Sequence, residues 1–166
     1  MLTGKNLMII GFVVVVFVVL QGILIAIGKA DNPAEAAVDF TRAYYMLNGA
    51  AMSKLLCDEI LEDEEEADVV GTYLNSVAVR ARSMGFSQNY MRNQLAHVST
   101  EIQMTDENQA TVRITGERLR SINPVYALIG RLFFLIESHK FDKTLNLVKE
   151  EGKWKVCGKP FSLSEI

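Results

Sequence analysis

The side chains of this chain that could carry out chemistry are few and scattered. His97 and His139 are its only histidines, and each sits among polar residues at the end or edge of a predicted strand, which is typical of surface histidines. Cys-x-x-Cys spacing, a glycine-rich phosphate loop and a Gly-x-Ser-x-Gly nucleophile motif are all missing from the sequence. We therefore expect no catalytic residues, no metal site and no cofactor.

The two cysteines, Cys57 and Cys157, leave two alternatives open. In an oxidising compartment, a disulfide closing the long loop between them could stabilise the fold by up to about 4–5 kcal/mol in the chain-entropy model. Otherwise the two thiols are buried separately. Since Trp154 and Val156 share one face of a predicted strand, Cys157 points to the opposite face. A bond then requires the second predicted helix to lie against that side.

An acidic cluster follows Cys57, and the whole chain has a net charge of −3. The cluster could attract a divalent cation or a basic partner, but it lacks the Asp-x-Asp-x-Asp-Gly spacing of a calcium loop, so we expect a solvated helix terminus and loop. The acidic balance argues against nucleic acid as a partner. The members of the cluster are Asp58, Glu59, Glu62, Asp63, Glu64, Glu65, Glu66 and Asp68.

An uninterrupted apolar run covers residues 7–27, in which Gln21 is the one side chain that needs hydrogen bonds. As a helix the run reaches about 31 Å, close to the hydrocarbon thickness of a bilayer. A cleaved signal peptide is the alternative, with small residues before a cut after Gly28 or Ala30. Because the apolar part of a signal peptide is usually about 7–15 residues long, we favour an uncleaved transmembrane anchor.

The domain organisation follows from this run. We predict a short tail at 1–6, a transmembrane helix at 7–27, a linker at 28–32, one folded domain at 33–158 and a C-terminal tail at 159–166. The soluble part is long enough for a proper core and contains no linker rich in Pro, Gly or Ser.

Three helices are predicted at the start of the domain. Asn32, Pro33 and Glu35 form a strong helix start, and Asn48-Gly49 ends that first helix. A second helix is predicted over 50–61 and a third over 67–84.

The periodicity then becomes alternating, which predicts strands at about 98–104, 110–122, 140–149 and 154–158. A bulge is predicted at Gly116, since Leu119 falls on the other parity. Helices followed by an antiparallel meander predict an α+β domain, in which about three helices cover one face of a curved four-stranded sheet.

Three segments resemble the nuclear-transport-factor-2-like (cystatin-like) superfamily, in particular its small membrane-anchored bacterial members. They are Pro33-Ala-Glu-Ala-Ala-Val-Asp-Phe, Leu47-Asn-Gly-Ala-Ala-Met-Ser-Lys-Leu-Leu and Leu145-Asn-Leu-Val-Lys-Glu-Glu-Gly-Lys-Trp-Lys-Val. The resemblance implies a cone-shaped domain with a pocket between sheet and helices. It also implies that an enzyme of this type would use an Asp–His or Tyr–Asp pair inside the cone. Asp39, Tyr44 and Tyr45 could supply part of such a pair, but no inward histidine can be assigned.

One segment departs from that pattern. Residues 123–136 are strongly apolar where a short polar hairpin turn is expected, and they are too few for a second membrane span. Part of the segment could extend the strands or fold over the mouth of the cone. Alternatively it contacts a partner or the membrane, since a large exposed apolar patch usually marks an interface. The candidate interface residues are Leu128, Ile129, Leu132, Phe133 and Phe134.

The expected location is the cytoplasmic (inner) membrane, crossed once, with the C-terminal domain outside the cytoplasm. Basic residues are nearly balanced on the two sides of residues 7–27, so this orientation depends on the two cysteines and on the resemblance. The expected partners are the bilayer, through residues 7–27, and either other proteins or further copies of this chain. We expect a non-catalytic scaffold or accessory subunit of an envelope protein complex. The alternative is a binding module that holds an apolar small molecule in the cone, and an enzyme ranks third.

Overall fold

The computed structural model describes residues 15–17, 32–62, 68–120 and 138–163. The chain divides into two compact units, Met1–Asn32 and Pro33–Ile166. Within the first unit, residues 15–17 are helical and exposed, and the rest of the predicted transmembrane segment 7–27 lies outside the described residues. No helix found among the described residues combines the length and the apolar content required to cross a membrane.

Four α-helices in the described part of the second unit precede its strands: α1 (Pro33–Tyr45), α2 (Gly49–Leu55), α3 (Asp58–Leu61) and α4 (Val69–Ser83). The helix starts follow from local capping. The Asn48 side chain accepts a hydrogen bond from the Ala51 amide at 3.2 Å, and Asp68 accepts one from the Gly71 amide at 2.7 Å. Both side chains satisfy an amide that the helix leaves unpaired.

The prediction of one continuous helix over 50–61 is wrong. Leu56 and Cys57 are extended between α2 and α3. Leu56 pairs with Val156 in an isolated parallel bridge, and the Cys57 amide donates a hydrogen bond to the Val156 carbonyl at 3.0 Å. Pairing with a distant strand therefore overrides the helical pattern at these two residues.

A four-stranded antiparallel sheet follows, in the order β1-β2-β3-β4. Its strands are β1 (Asn93–Met104), β2 (Gln109–Arg120), β3 (Ser138–Glu150) and β4 (Lys153–Cys157), with a short 3-10 helix (Gln88–Met91) before β1. Helix α1 packs against all four strands. The predicted α+β class and the four-stranded antiparallel meander are therefore confirmed.

An irregularity divides β1 into two halves. Ala96 pairs with Glu117 and Ser99 with Thr115, so His97 and Val98 together oppose the single residue Gly116. The extra residue is therefore in β1, not in β2 as predicted, and His97 has a φ of 51°. Gly116 is the residue of β2 that lies opposite the bulge.

An apolar core of described residues lies between the helices and the sheet. Ile102 and Met104, which alternate with polar residues as core residues of a strand do, are exposed and not part of it. Residues beyond the predicted domain boundary at 158 contribute to it. A second 3-10 helix (Pro160–Leu163) follows β4, and the Phe161 ring lies 5.1 Å from the Tyr73 ring, measured between centroids. Part of the predicted C-terminal tail thus belongs to the packed domain.

Candidate functional site

The interior of the domain, where the resemblance places a pocket, is occupied by aromatic rings. Tyr44 from α1 and Tyr73 from α4 stack with their ring centroids 4.6 Å apart. Tyr45 meets Tyr44 edge-on at 5.3 Å and lies 5.5 Å from Phe141 of β3. Phe161 covers the Tyr44–Tyr73 pair. The rings of Tyr44, Tyr45, Tyr73 and Phe141 are all buried.

Three buried polar atoms of this interior have no hydrogen bond of normal geometry among the described residues. They are the hydroxyl oxygens of Tyr44 and Tyr73 and the indole nitrogen of Trp154, although the two hydroxyls lie close enough to interact with each other. Burial raises the pKa of Tyr44 to about 12 and raises the pKa of Tyr73 above its ordinary value. Both phenols are therefore protonated at neutral pH, and neither is suited to act as a general base there.

The residues that could complete an acid–base pair lie elsewhere. Asp39 is exposed and forms an ion pair with Arg42 at 3.0 Å, on the outer side of α1. The side chain of His97 is 83% exposed in the bulge, with Nδ1 3.6 Å from a carboxylate oxygen of Glu117, and His139 is also exposed. The structure thus brings Tyr44 and Tyr45 into the interior but places Asp39 and both histidines outside it.

Among the described residues, the buried polar and charged side chains outside the aromatic and cysteine groups are Thr41 and Asn93. Thr41 Oγ1 donates to the Ala37 carbonyl at 2.7 Å, and Asn93 Nδ2 donates to the Met91 carbonyl at 2.9 Å. Both side chains therefore satisfy local backbone groups. No described carboxylate or imidazole is buried in the interior.

The two cysteines meet at the free side of β4. Cys57 and Cys157 are joined in a disulfide, with their Cα atoms 5.4 Å apart. The bond does not need a helix packed over the face of the strand. Because Leu56 pairs with Val156, Cys57 lies beside the strand and next to Cys157. The described residues beside this edge are thus Leu56 and Cys57, which link helices α2 and α3.

A charged group reinforces the same edge. Lys155 Nζ lies 2.7 Å from Asp58 Oδ1 and 2.9 Å from Glu150 Oε2. These hydrogen bonds, first to Asp58 and then to Glu150, raise the pKa of Lys155. The Glu150 carboxylate also accepts a hydrogen bond from the Asp58 amide, at the start of α3, at 3.2 Å. Three elements, α3, β3 and β4, are therefore connected around the disulfide.

Metal binding at this edge is disfavoured by the bond itself. The Cys57 and Cys157 sulfurs and a Glu59 carboxylate oxygen lie within 4.8 Å of one another. A thiolate is the form of cysteine that binds metals, and both sulfurs are used in the disulfide. Of the acidic cluster, Asp58 pairs with Lys155 and Asp68 caps α4, while residues 63–67 lie outside the described residues.

The opposite edge of the sheet is different. Sequence reasoning did not single out the outer half of β1 (residues 99–104), in which every residue is exposed. Ile102 and Met104 are 41% and 55% exposed, although their partners in β2, Val112 and Ala110, are buried. The helices therefore cover β2 at this level but leave β1 uncovered.

The predicted partner interface cannot be placed on this structure. Its five residues, which are Leu128, Ile129, Leu132, Phe133 and Phe134, fall between β2 and β3 and lie outside the described residues. Exposed apolar side chains on the described elements of the second unit include Leu61 of α3, Val79 of α4 and Met104 of β1, which are 46%, 54% and 55% exposed.

No protein-family model matches this chain, and no curated protein matches it. The chain is similar in structure to a putative NTF2-like transpeptidase from Campylobacter jejuni, with 16% sequence identity and a TM-score of 0.46. The similarity covers 76% of this chain and 97% of the Campylobacter chain. A likeness of this extent transfers no activity to this protein.

Proposed function

We propose that this protein is a non-catalytic, membrane-anchored domain that acts outside the cytoplasm as a scaffold or accessory subunit of an envelope protein complex. The observation that carries the proposal is the filled interior. The space available for a substrate in the cone is taken by Tyr44, Tyr73, Phe141 and their neighbours, and the described acid–base groups lie outside it. A domain of this kind acts through its surface.

The disulfide supports the proposed location. Bonds of this type persist in oxidising compartments and are rare in the cytosol. The Cys57–Cys157 bond lies beside β4 with the Cys57 side of the link fully buried, which is the setting of a structural disulfide, not of a reactive thiol pair. The apolar run at 7–27 supplies the proposed anchor, so that the domain stays close to the bilayer.

The location can be tested with one introduced thiol. Both native cysteines are bonded, so Lys153→Cys, at the exposed start of β4, provides a unique reactive group. We expect a membrane-impermeant maleimide to label this variant in intact spheroplasts. Lys5→Cys, in the tail predicted to lie inside, is the matched control and should be labelled only after lysis. Labelling of Lys153→Cys only after lysis would contradict the proposed location.

The scaffold role can be tested by purification of the full chain in mild detergent. We expect specific proteins to co-purify, and we expect Leu132→Asp and Phe133→Asp to abolish their binding. Val79→Asp is the control, since it places the same charge at an exposed apolar residue of α4. Equal loss with all three variants, or no co-purifying protein, would contradict this role.

The buried phenol hydroxyls favour a second candidate function. A small molecule with one polar group could supply a partner for Tyr44 and Tyr73 if its apolar part took the place of the Phe161 ring, which packs on both tyrosines. Native mass spectrometry of the full chain in detergent would show a retained mass of fixed value for such a binding module. Tyr73→Phe removes one hydroxyl but keeps the ring, so it should reduce that retention. A retained ligand would favour this function over the scaffold.

A further inference from the structure

The outer half of β1 (residues 99–104) combines two features that usually occur at interfaces. No described strand pairs with its outer side, so among the described residues the backbone amides and carbonyls on that side have no strand partner. Its two apolar side chains, Ile102 and Met104, extend the apolar face of the sheet beyond the helices that cover Val112 and Ala110.

This half of β1 lacks the features that usually prevent an edge strand from pairing with another chain. Proteins protect their edges with lysine, proline, bulges or inward-pointing charges. The bulge of β1 lies at His97 and Val98, before the segment begins. The one charged side chain in the segment is Glu101, on the face opposite Ile102. Its carboxylate is 3.8 Å from Arg113 of the same chain.

We propose that residues 100–104, in the outer half of β1, pair with the same residues of a second copy of this chain. The two strands run antiparallel about a two-fold axis and join two four-stranded sheets into one of eight strands. A two-fold interface requires a surface that is complementary to itself. The segment meets this requirement because, apart from one acid already near an arginine, its side chains are neutral.

The side chains also select one register. Residues that face each other across antiparallel strands lie on the same side of the sheet. An axis at Glu101 would set two carboxylates directly against each other, which is unfavourable. An axis at Thr100 would include the bulge at His97 and Val98, which interrupts regular pairing.

An axis at Ile102 avoids both problems. It places Ile102 opposite its own copy, Thr100 opposite Met104, and Glu101 opposite Gln103, so that an amide can donate to a carboxylate. All of these residues lie within the regular part of β1. An axis at Gln103 would pair residues of the following turn, where the Thr105 and Asp106 amides already donate to the Gln109 carbonyl. We therefore assign the axis to Ile102.

The proposal can be tested by cysteine cross-linking of the full chain in detergent under mild copper-catalysed oxidation. In Ile102→Cys the two introduced cysteines would have Cα atoms about 4.5–5.5 Å apart, within the range of a disulfide. In Gln103→Cys they would be roughly 8 Å apart in this register, too far for an unstrained bond. Val79→Cys, on the exposed side of α4, is the control for random collision.

We expect Ile102→Cys to give a covalent dimer on a non-reducing gel at least five-fold faster than either of the other variants. Faster dimerisation of Gln103→Cys would overturn the assigned register, and equal rates for all three would overturn the interface. Anchors that associate in the detergent micelle would affect all three variants alike, so the comparison remains informative.

A second measurement does not depend on an introduced thiol. Light scattering with size-exclusion chromatography should give the protein mass of a dimer for the wild type and of a monomer for Ile102→Lys. The two proteins should have the same circular dichroism, because residue 102 is exposed in the single chain. A dimer that survives Ile102→Lys, or a monomeric wild type, would contradict the proposal. The test of location at Lys153 is independent of these outcomes, so either proposal can fail alone.

Discussion

The two edge strands of the described sheet, β4 and β1, have different surroundings in this protein. At the β4 edge, Leu56 pairs with the strand, a disulfide joins Cys57 to Cys157, and Lys155 connects two carboxylates. At the β1 edge, residues 99–104 are exposed, pair with β2 on one side and, among the described residues, have no strand on their outer side. One edge is fixed by a covalent bond, while no described strand pairs with the outer side of the other.

The difference indicates that the β4 edge contributes to the stability of the domain and that the β1 edge is the one suited to interaction with another chain. A sheet edge is a site at which other chains can pair, and a protein in an oxidising compartment can close one edge permanently with a disulfide. Closing β4 leaves β1 as the described edge on which a further strand can add. The arrangement therefore directs pairing to one side of the domain.

The largest expected effect comes from opening the β4 edge. Replacing both cysteines, as Cys57→Ala with Cys157→Ala, should lower the free energy of unfolding by about 3–5 kcal/mol, because the bond closes a loop with a sequence separation of 100. Denaturant titration measures this loss. Hydrogen exchange should show the largest loss of protection in Lys153–Cys157 and a smaller loss in residues 99–104, at the other edge of the sheet.

Reduction of the wild type serves as the control for the double variant. The reduced protein should lose the same free energy, since the loss arises from the missing bond and not from the substituted side chains. A double variant as stable as the oxidised wild type would show that the β4 edge is held by backbone pairing and Lys155 alone.

The second prediction concerns the bulge at which the two halves of β1 meet. A Cβ atom at Gly116 would lie 3.0 Å from Phe141 Cε1 and 3.2 Å from the Ala96 carbonyl oxygen. Gly116→Ala should therefore cost about 1–3 kcal/mol, because the core must shift to admit one methyl group. The covered half of β1 is affected and the exposed half is not, so cross-linking through Ile102→Cys should persist.

A double-mutant cycle with Phe141→Leu isolates the cause of that loss. The smaller side chain removes the ring atoms that the new methyl group would meet, so the two substitutions together should cost less than the sum of the two separate losses. Additive losses would indicate that the contact with the Ala96 carbonyl, and not the ring, is responsible.

Much of the fold could be predicted from local sequence. Pro33 starts α1, Gly85 follows α4 with a φ of 79°, and Glu151-Gly152 makes the tight turn between β3 and β4 with positive φ at both residues. These signals lie within a few residues of the structure that they specify. Helix and strand periodicity then gave the α+β class and the order of the meander.

The remaining features depend on residues far apart in the chain. The break at Leu56 and Cys57 arises from pairing with Val156, and no local pattern at residues 50–61 indicates it. The bulge is in β1, yet its clearest signal is Gly116 in β2. Ile102 and Met104 alternate as buried residues do, but their exposure depends on how far the helices extend over the sheet.

The candidate site shows the same limit. The resemblance suggested Asp39, Tyr44 and Tyr45 as parts of a pair inside the cone, but the stacking of Tyr44 on Tyr73, which fills the interior, depends on how α4 is placed beside α1. Asp39 of the same helix is exposed and forms an ion pair with Arg42 instead. The sequence thus identified candidate site residues, but tertiary packing determines which of them come into contact.

The smallest expected effect on stability comes from ion pairs. One group surrounds Lys155 at the β4 edge, and the other surrounds Arg113 of β2, nearer the β1 edge. The Lys155 side chain is 19% exposed between Asp58 and Glu150, whereas that of Arg113, between Glu101 and Asp142, is 54% exposed. Lys155→Met should lower the free energy of unfolding by about 1 kcal/mol at neutral pH, which is the upper end of the range measured for surface ion pairs. Arg113→Met, the matched variant on the open side, should cause no measurable loss.

The pH dependence distinguishes a lost charge from lost packing. Hydrogen bonds to Asp58 and Glu150 raise the pKa of Lys155 above its ordinary value of 10.5, so the folded state holds the proton more tightly than the unfolded state does. The stabilisation is therefore complete below about pH 10.5 and is lost as the pH rises through the raised pKa. The stability difference between wild type and Lys155→Met should shrink in that range, measured by denaturant titration at several pH values. A difference that stays constant there would mean that the packing of the Lys155 stem, on a side chain that is 19% exposed, matters more than its charge.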